Sequence, residues 1–369
     1  MNTGNIDIVN YRSVSIIVVT WNNSKDTIAC LASLQKITYP NYHIFLVDNN
    51  STDGSFERIK DWCVKETIQY IEYNKVVFEK GRQRDKENKL EDLHPVLKLT
   101  LIKTSKNLGY SGGINVGIKY CIKSDTDYLL ILNNDTIVDE RFLEPLVEFL
   151  EENENVGLVG GNLFDEDDKP TRTFGAFSNI PNLALSIFGL KTEKSFNAKQ
   201  FLNKPYSVDY PCGACFMLNK SIIEYVGYMS EDYFMYFEEQ DWAYRCMKAG
   251  FESYIIPKSK VIHIGGVVSA QVSMTKKMRI YYESLYQFLK KNHGSIYLLV
   301  YFSLILFLHL SRFAIFFIIY PICVYTRFME KIKFGWKGHF VEVQTIISLM
   351  LDKMNLYNIS SPYDNVTGK

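Results

Sequence analysis

The chain has 369 residues, room for one large domain or two ordinary ones. Its 41 Lys and Arg balance 41 Asp and Glu, which excludes nucleic-acid binding through bulk positive charge; with 47% hydrophobic residues it also excludes long disorder. Seven scattered cysteines in a chain of this length exclude a short secreted disulfide framework.

The polar start MNTGNIDIVNYR has no apolar signal-peptide core, so a cytoplasmic catalytic part is expected. Val14–Val19 is a short β-branched run, the pattern of a strand buried on both faces. Asn23 or Ser24 is placed to cap a helix over Thr27–Leu34. A second buried strand, His43–Val47, stops at the turn cluster Asp48-Asn-Asn-Ser-Thr-Asp-Gly54, and a helix follows from Ser55. This alternation predicts a parallel sheet with helices on its faces, whose ligands collect at the C-terminal ends of the strands.

Residues 79–92 carry ten charges in fourteen positions, five of each sign, and read as part of a solvated surface insertion over 73–97. A strand is expected over Lys98–Ile102. The Gly-rich stretch Asn107–Gly117 flows into a helix reaching Ile122, and Tyr128–Leu132 is a strand ending at Asn133-Asn-Asp-Thr136. Leu143–Leu150 predicts a helix and Val156–Val159 a strand. Residues 165–205 are loop-rich, and Cys212–Leu218 is strand-like. Glu238–Arg245 predicts a helix with Asp241 and Arg245 on one face, ended by Gly250. Tyr254–Ile256 and Lys260–Ile264 predict two short strands.

Several residues in this layout suit chemistry. Asp135, at a strand end, is a hard oxygen ligand of the kind Mg²⁺ or Mn²⁺ takes beside phosphate oxygens, though an Asp there also suits a turn. Glu238 and Glu239 open a helix, where acids are ordinary dipole partners or, in a desolvated cleft, a general base. His263 is a metal ligand or a core histidine. The stretch Asn107–Gly117 allows close backbone approach to a pyrophosphate, but it is not G-x-G-x-x-G after the first strand. No G-x-x-x-x-G-K-[ST] occurs. Cys212-Gly-Ala-Cys215 has no second Cys pair, so packing in a strand is favoured over zinc or redox chemistry.

Seven motifs then occur in order: Val14–Asn22, Val47–Ser55, Asn107–Gly117, Leu132–Thr136, Gly213–Cys215, Phe234–Trp242 and Val261–His263. Over residues 13–290 the chain resembles the family-2 inverting glycosyltransferases of GT-A fold, closest to the rhamnosyltransferase-like members that extend bacterial surface polysaccharides. The resemblance implies an α/β fold with a Rossmann-like, mostly parallel central sheet flanked by helices. Thr20, Asn22 and Asp48 would hold the nucleotide, with Asp48 facing the base. Asn107, Gly109, Gly113 and Asn115 would line the nucleotide-sugar pocket. Asn133-Asn134-Asp135 would stand for the family's D-x-D, leaving Asp135 as the metal carboxylate and His263 as the second protein ligand for Mg²⁺ or Mn²⁺. Glu239 matches the catalytic base, with Glu238 and Asp241 shaping the same acidic helix start. The implied reaction is inverting transfer from dTDP-rhamnose or a UDP-hexose to a growing, lipid-linked glycan; a catalytically inactive nucleotide-sugar-binding scaffold is the alternative. Processive membrane synthases of the family carry a Q-x-x-R-W element, and no Arg-Trp dipeptide exists here.

Residues 296–325 hold a single formal charge, Arg312, between Lys276, Lys277, Arg279, Lys290 and Lys291 upstream and Arg327, Lys331, Lys333 and Lys337 downstream. This apolar stretch fits one spanning helix, two interfacial or re-entrant ones, or a buried core helix pair. Basic flanks on both sides favour a surface element at an anionic cytoplasmic leaflet. The expected layout is therefore a catalytic domain over 1–290 and a helical, membrane-associated region over 291–369, at the cytoplasmic face of the cell membrane. Nucleic acid is not an expected partner.

Overall fold

The computed structural model describes residues 11–74, 98–123, 126–187, 203–265, 273–323 and 342–349. Strand β1 (Val14–Thr20) alternates its side chains between two buried faces: Val14, Ile16 and Val18 enter one apolar cluster and Ile17 the other. Asn23 caps helix α1 (Ser24–Leu34) by accepting from the Asp26 amide at 3.4 Å. β2 (Tyr42–Asp48) lies parallel to β1, in register from Val14 with Tyr42 to Thr20 with Asp48. Helix α2 (Ser55–Lys65) begins after the left-handed Gly54 and leads to β3 (Tyr70–Asn74). β4 (Leu99–Lys103) pairs in parallel with both β2 and β3.

Helix α3 (Gly109–Cys121) crosses β1 at very short range. A Cβ on Gly117 would fall 2.5 Å from Ile17 Cγ2, and one on Gly113 would fall 2.8 Å from Val19 Cγ1. Both glycines are therefore needed for packing. β5 (Tyr128–Asn133) pairs in parallel with the other edge of β1. The three-residue β6 (Thr136–Val138) and helix α4 (Glu144–Glu152) come next, then β7 (Val156–Phe164). β8 (Phe174–Gly175) pairs with β10 (Tyr210–Pro211) in a small ladder of its own. β11 (Cys215–Asn219) inserts antiparallel between β5 and β7. After helices α6 (Ile222–Val226) and α7 (Glu238–Lys248), β12 (Glu252–His263) runs parallel to β7. Its last residues pair antiparallel with β6, and β9 (Tyr206–Val208) pairs with its start. Among the described residues the sheet has ten strands, in the order β3-β4-β2-β1-β5-β11-β7-β12-β6, with β9 beside β12.

One core joins α1, α2 and α4 to one face of this sheet, and the other joins α3 and α7 to the opposite face through Ile114, Ile118 and Trp242. Each fully buried Ile, Leu or Val contributes about 1.5–3 kcal/mol to the folded state. The α/β architecture, with its mostly parallel central sheet flanked by helices, is the one the sequence implies.

Local boundaries differ in instructive ways. Tyr73 and Asn74 belong to β3, so the insertion expected over 73–97 starts after them; 75–97 lies outside the described residues. Cys212 precedes rather than starts its strand, because its amide donates to Thr173 O at 2.8 Å and its carbonyl closes a turn to Cys215. The two short strands expected at Tyr254–Ile256 and Lys260–Ile264 are one strand with a register shift between Ile256 and Lys260.

The chain divides into two compact units. One comprises residues 1–177, 196–231 and 238–266, and the other 178–195, 232–237 and 267–369. The boundary expected at 290 falls inside helix α8 (Met274–His293) of the second unit. That unit also holds α5 (Ile180–Ile187), α9 (Ser295–Cys323) and a helix over 342–349. Within it, Tyr297 Oη accepts from the Ile180 amide at 2.7 Å, and His309 of α9 lies 3.3 Å from Glu342. Among the described residues no helix is long and apolar enough to cross a membrane.

Candidate active site

The parallel register brings the ends of four strands to one edge of the sheet. Thr20 pairs with Asp48, Asp48 with Lys103, and Val19 with Asn133. Most residues singled out in the sequence lie at or beside this edge.

The nucleotide candidates are knitted together by side chains. Asn22, left-handed at φ 51°, accepts from the Thr52 amide at 2.8 Å, and its own amide donates to Ser51 Oγ at 2.9 Å. The loops after β1 and β2 are thereby tied. The Thr20 hydroxyl meets that of Thr27 at 2.8 Å, and Asn134 Nδ2 donates to Thr27 Oγ1 at 2.9 Å. Asp48 is fully buried. One carboxyl oxygen accepts from the Ser51 amide at 3.0 Å, while Oδ1 has no hydrogen-bond partner. Burial pushes this carboxyl above its ordinary range. A buried acceptor without a donor carries a desolvation cost of about 1–3 kcal/mol, which a ligand's donor or a retained proton would offset.

Asn49, which sequence reasoning passed over, fastens the Gly-rich loop. Its Nδ2 donates to Gly109 O at 2.8 Å and to Asn107 Oδ1 at 3.1 Å, and its Oδ1 accepts from the Leu108 amide at 2.9 Å. Asn107 Oδ1 also accepts from the amide of Gly109, which is left-handed at φ 73°. Asn115 is turned elsewhere: its amide group brackets Met229 through that residue's carbonyl and N–H, and donates to Glu231 at 2.8 Å.

Asn133 and Asp135 diverge. Asn133 Oδ1 accepts from the Tyr110 hydroxyl at 2.9 Å, and the same hydroxyl lies 3.0 Å from Gly213 O. The β6–β12 pairing sets His263 against Thr136, and the Ile264 amide donates to Asp135 O. This brings His263 Nε2 to 3.2 Å from Asp135 Oδ1. No group of three or more His, Cys, Asp or Glu side chains forms a metal cluster among the described residues. One carboxylate and one imidazole, partly open to solvent, fit a divalent cation that completes its shell with phosphate oxygens.

The chain enters α7 through Tyr236 and Phe237, both left-handed at φ 71°, a strained conformation for bulky residues. Glu238 and Glu239 follow. Burial and the charge of Glu239 hold the Glu238 carboxyl well above its usual range, and its Oε2 has no hydrogen-bond partner. Burial also raises Glu239, against the opposing charge of Arg172. A Cβ on Gly213 would lie 3.6 Å from Glu239 Cδ, so the glycine turn is open toward that carboxyl. Tyr110 and Cys212 feel the charges of both Asp135 and Glu239, which places these two acids in one neighbourhood. Asp241, by contrast, is fully buried and pairs with Arg245 at 2.9 Å, while Arg245 also donates to Val226 O and Tyr228 O. Its carboxylate is committed to holding α7. Burial raises the thiols of Cys212 to about 11 and Cys215 to about 12, the behaviour of inert packing cysteines.

A mostly parallel sheet with acids gathered at the C-terminal ends of its strands defines a class, and comparison with known proteins narrows it. The model of glycosyl transferase family 2 matches residues 15–89 and 84–227. The chain belongs to that family and is a glycosyltransferase of GT-A fold. The low-salt glycan biosynthesis hexosyltransferase Agl10 of Haloferax volcanii is 21% identical over 248 residues, 67% of this chain and 66% of that one. The dTDP-rhamnosyl transferase RfbF of Shigella flexneri is 25% identical, covering 56% of this chain and 67% of its own. The N-acetylglucosaminyl-diphospho-decaprenol L-rhamnosyltransferase of Mycobacterium tuberculosis is 22% identical, covering 76% and 84%. In fold, the chain is similar to a mannosyltransferase from Pyrobaculum calidifontis solved with GDP-Man and Mn²⁺. The TM-score is 0.53 at 14% identity, over 93% of this chain and 89% of that one.

Proposed function

We propose that the protein transfers a rhamnosyl or hexosyl unit, with inversion, from a nucleoside-diphosphate donor to a hydroxyl of a lipid-linked glycan. The observation that carries this reading is the gathering of Asp48, the Asp135–His263 pair and Glu239 around one strand edge. The names of the Shigella and Mycobacterium relatives favour dTDP-rhamnose as donor and a polyprenyl-diphosphate-linked sugar as acceptor.

In this mechanism the unpartnered Asp48 Oδ1 accepts a hydrogen bond from the N–H of a pyrimidine base. The loop held by Asn49 presents backbone to the donor. Asp135 and His263 would hold a divalent cation, which when bound offsets the charge developing on the leaving diphosphate. Glu239 takes the proton of the acceptor hydroxyl, and that oxygen attacks C1 in line. The new C1–O bond forms as the bond to the diphosphate breaks, and the electron pair leaves with the nucleotide. Burial and the charge of Glu239 favour the protonated form of Glu238, which therefore does not compete. One base and no protein nucleophile give inversion.

We place the enzyme at the cytoplasmic membrane surface. Support comes from α9, where Ile296, Leu299, Val300, Phe307 and Leu310 are exposed along one helical stripe while Tyr301, Phe302 and Ile305 are buried.

The test is calorimetric titration of dTDP, UDP and their sugars with and without Mn²⁺. Mn²⁺ should tighten binding at least tenfold in the wild type and have little effect in Asp135→Ala. Binding that ignores both the metal and the substitution would overturn the reading.

A further inference from the structure

Arg172 was not singled out by any sequence pattern; the residue is exposed, but its neighbours and its guanidinium are held by hydrogen bonds. The Thr171 amide donates to Leu163 O at 2.9 Å, and Thr173 O accepts from the Cys212 amide at 2.8 Å, so residues on both sides of Arg172 are pinned. Its Nε donates to Phe174 O at 3.3 Å and its Nη2 to the Tyr210 hydroxyl at 3.2 Å. Tyr210 is itself fixed. Its ring lies so close over Gly175 that a Cβ there would fall 2.2 Å from both Cζ and Oη, a separation no side chain could tolerate. Phe177 stacks on Tyr210 with centroids 6.0 Å apart and an interplanar angle of 29°.

The same ladder delivers the site. Tyr210 and Pro211 pair with Gly175 and Phe174, and two residues later Gly213 stands against the carboxyl of Glu239. The pairing therefore sets Arg172 and the Gly213 turn side by side. The titratable and charged groups around Glu239 are Glu238 on its own helix, Tyr110 from α3, Cys212 from the turn, Asp135 after β5 and Arg172 from the segment before β8. Of these, Arg172 is the cation. Its charge acts on Glu239 and on Cys212, favouring the ionised form of each against burial.

We propose that Arg172 is a positioning residue for Glu239: a guanidinium held by Phe174 and Tyr210 that selects the half-buried Glu239, rather than its buried neighbour Glu238, as the carboxyl that accepts the acceptor's proton. This deepens the reading of Glu239 as the base and rests on it. Two neighbouring carboxyls, one buried and one half-buried, cannot both ionise cheaply, and a cation beside one of them favours its ionisation. The proton passes from the acceptor O–H to Glu239. Arg172 exchanges no atom with substrate.

The experiment is the pH dependence of kcat/KM with dTDP-rhamnose, or with the UDP-hexose that binds more tightly, for wild type, Arg172→Gln, Arg172→Lys, Tyr210→Phe and Glu239→Gln. A base is active when deprotonated, so activity rises with pH through its pKa. Removing the cation raises that pKa and moves the acid limb to higher pH. Arg172→Gln should move the limb to higher pH and recover much of its rate at alkaline pH. Arg172→Lys should return the limb toward wild type, Tyr210→Phe should move it partway, and Mn²⁺-dependent nucleotide affinity should hold in all. A uniform loss at every pH with the limb unmoved, or Arg172→Lys no better than Arg172→Gln, would overturn the proposal. Turnover surviving in Glu239→Gln would instead refute the base assignment itself, so the two failures are distinguishable.

Discussion

Asp48 and Glu238 are buried carboxyls whose unpartnered oxygens the fold tolerates rather than needs. Each carries a desolvation cost that only a bound ligand or a retained proton offsets. Glu238 gives a test in the absence of substrate. Its folded pKa lies well above the ordinary carboxylate value of 4.5, so the native chain keeps a proton that the unfolded chain loses. Stability linked to this proton is fully present below 4.5 and declines as pH rises toward the folded value. Urea unfolding should therefore find Glu238→Gln close to wild type near pH 4 and more stable than wild type at pH 8. Parallel pH profiles for the two proteins would contradict the assignment. At this scale the sequence exposed residues whose type announces chemistry: Asp48, Asp135, Glu239 and His263. It did not expose Asn49, Tyr110 or Arg172, whose importance lies in partners far along the chain. Asn115 and Asp241 show the converse: their types suit a site, but their bonds to Met229, Glu231 and Arg245 commit them to structure.

Elements with a strong local signal were legible. The β-branched run of β1, the buried apolar run of β2 and the Gly-rich entry to α3 stand almost where their patterns put them. β6 was hidden, because three residues after a turn carry no periodicity and their strand exists only through pairing with β12. β12 itself reads as two strands because Pro257-Lys-Ser-Lys260 interrupts its pattern; the sheet absorbs the interruption as an irregularity in register. The second compact unit poses the clearest element-level question. α9 exposes Ile296 at 83% and Phe307 at 65%, residues spaced to share one helical face, and the preceding α8 ends in Lys290 and Lys291. An apolar stripe beside basic residues suits the surface of an anionic bilayer. The 369-residue chain should co-float with phosphatidylglycerol-containing vesicles, and Leu299→Asp with Phe307→Asp should reduce that fraction severalfold without changing nucleotide affinity. Equal flotation of wild type and variant would remove α9 as the contact.

At the scale of the whole molecule, function depends on a topology that joins segments distant in sequence. β5 ends beside β1, β6 returns along β12, and the small β8–β10 ladder feeds Gly213 toward α7. No local pattern specifies these meetings; they follow from the order of strands in the sheet, with the proposed site at the C-terminal edge where open α/β sheets collect ligands. Order was nevertheless legible as a succession of motifs, which is why the family could be recognised before any distance was known. The neutral total charge likewise concealed local structure: acids gathered at the strand edge and lysines beside an apolar helix. The central claim is that this edge performs base-assisted glycosyl transfer through Glu239. Its most direct test is to measure, in one preparation of Glu239→Gln, both sugar transfer to a polyprenyl-diphosphate-linked acceptor and affinity for the nucleotide in Mn²⁺. The account predicts transfer reduced by at least about a hundredfold, the scale of a lost general base, with nucleotide affinity within a factor of about three of wild type. Near-normal transfer would contradict it.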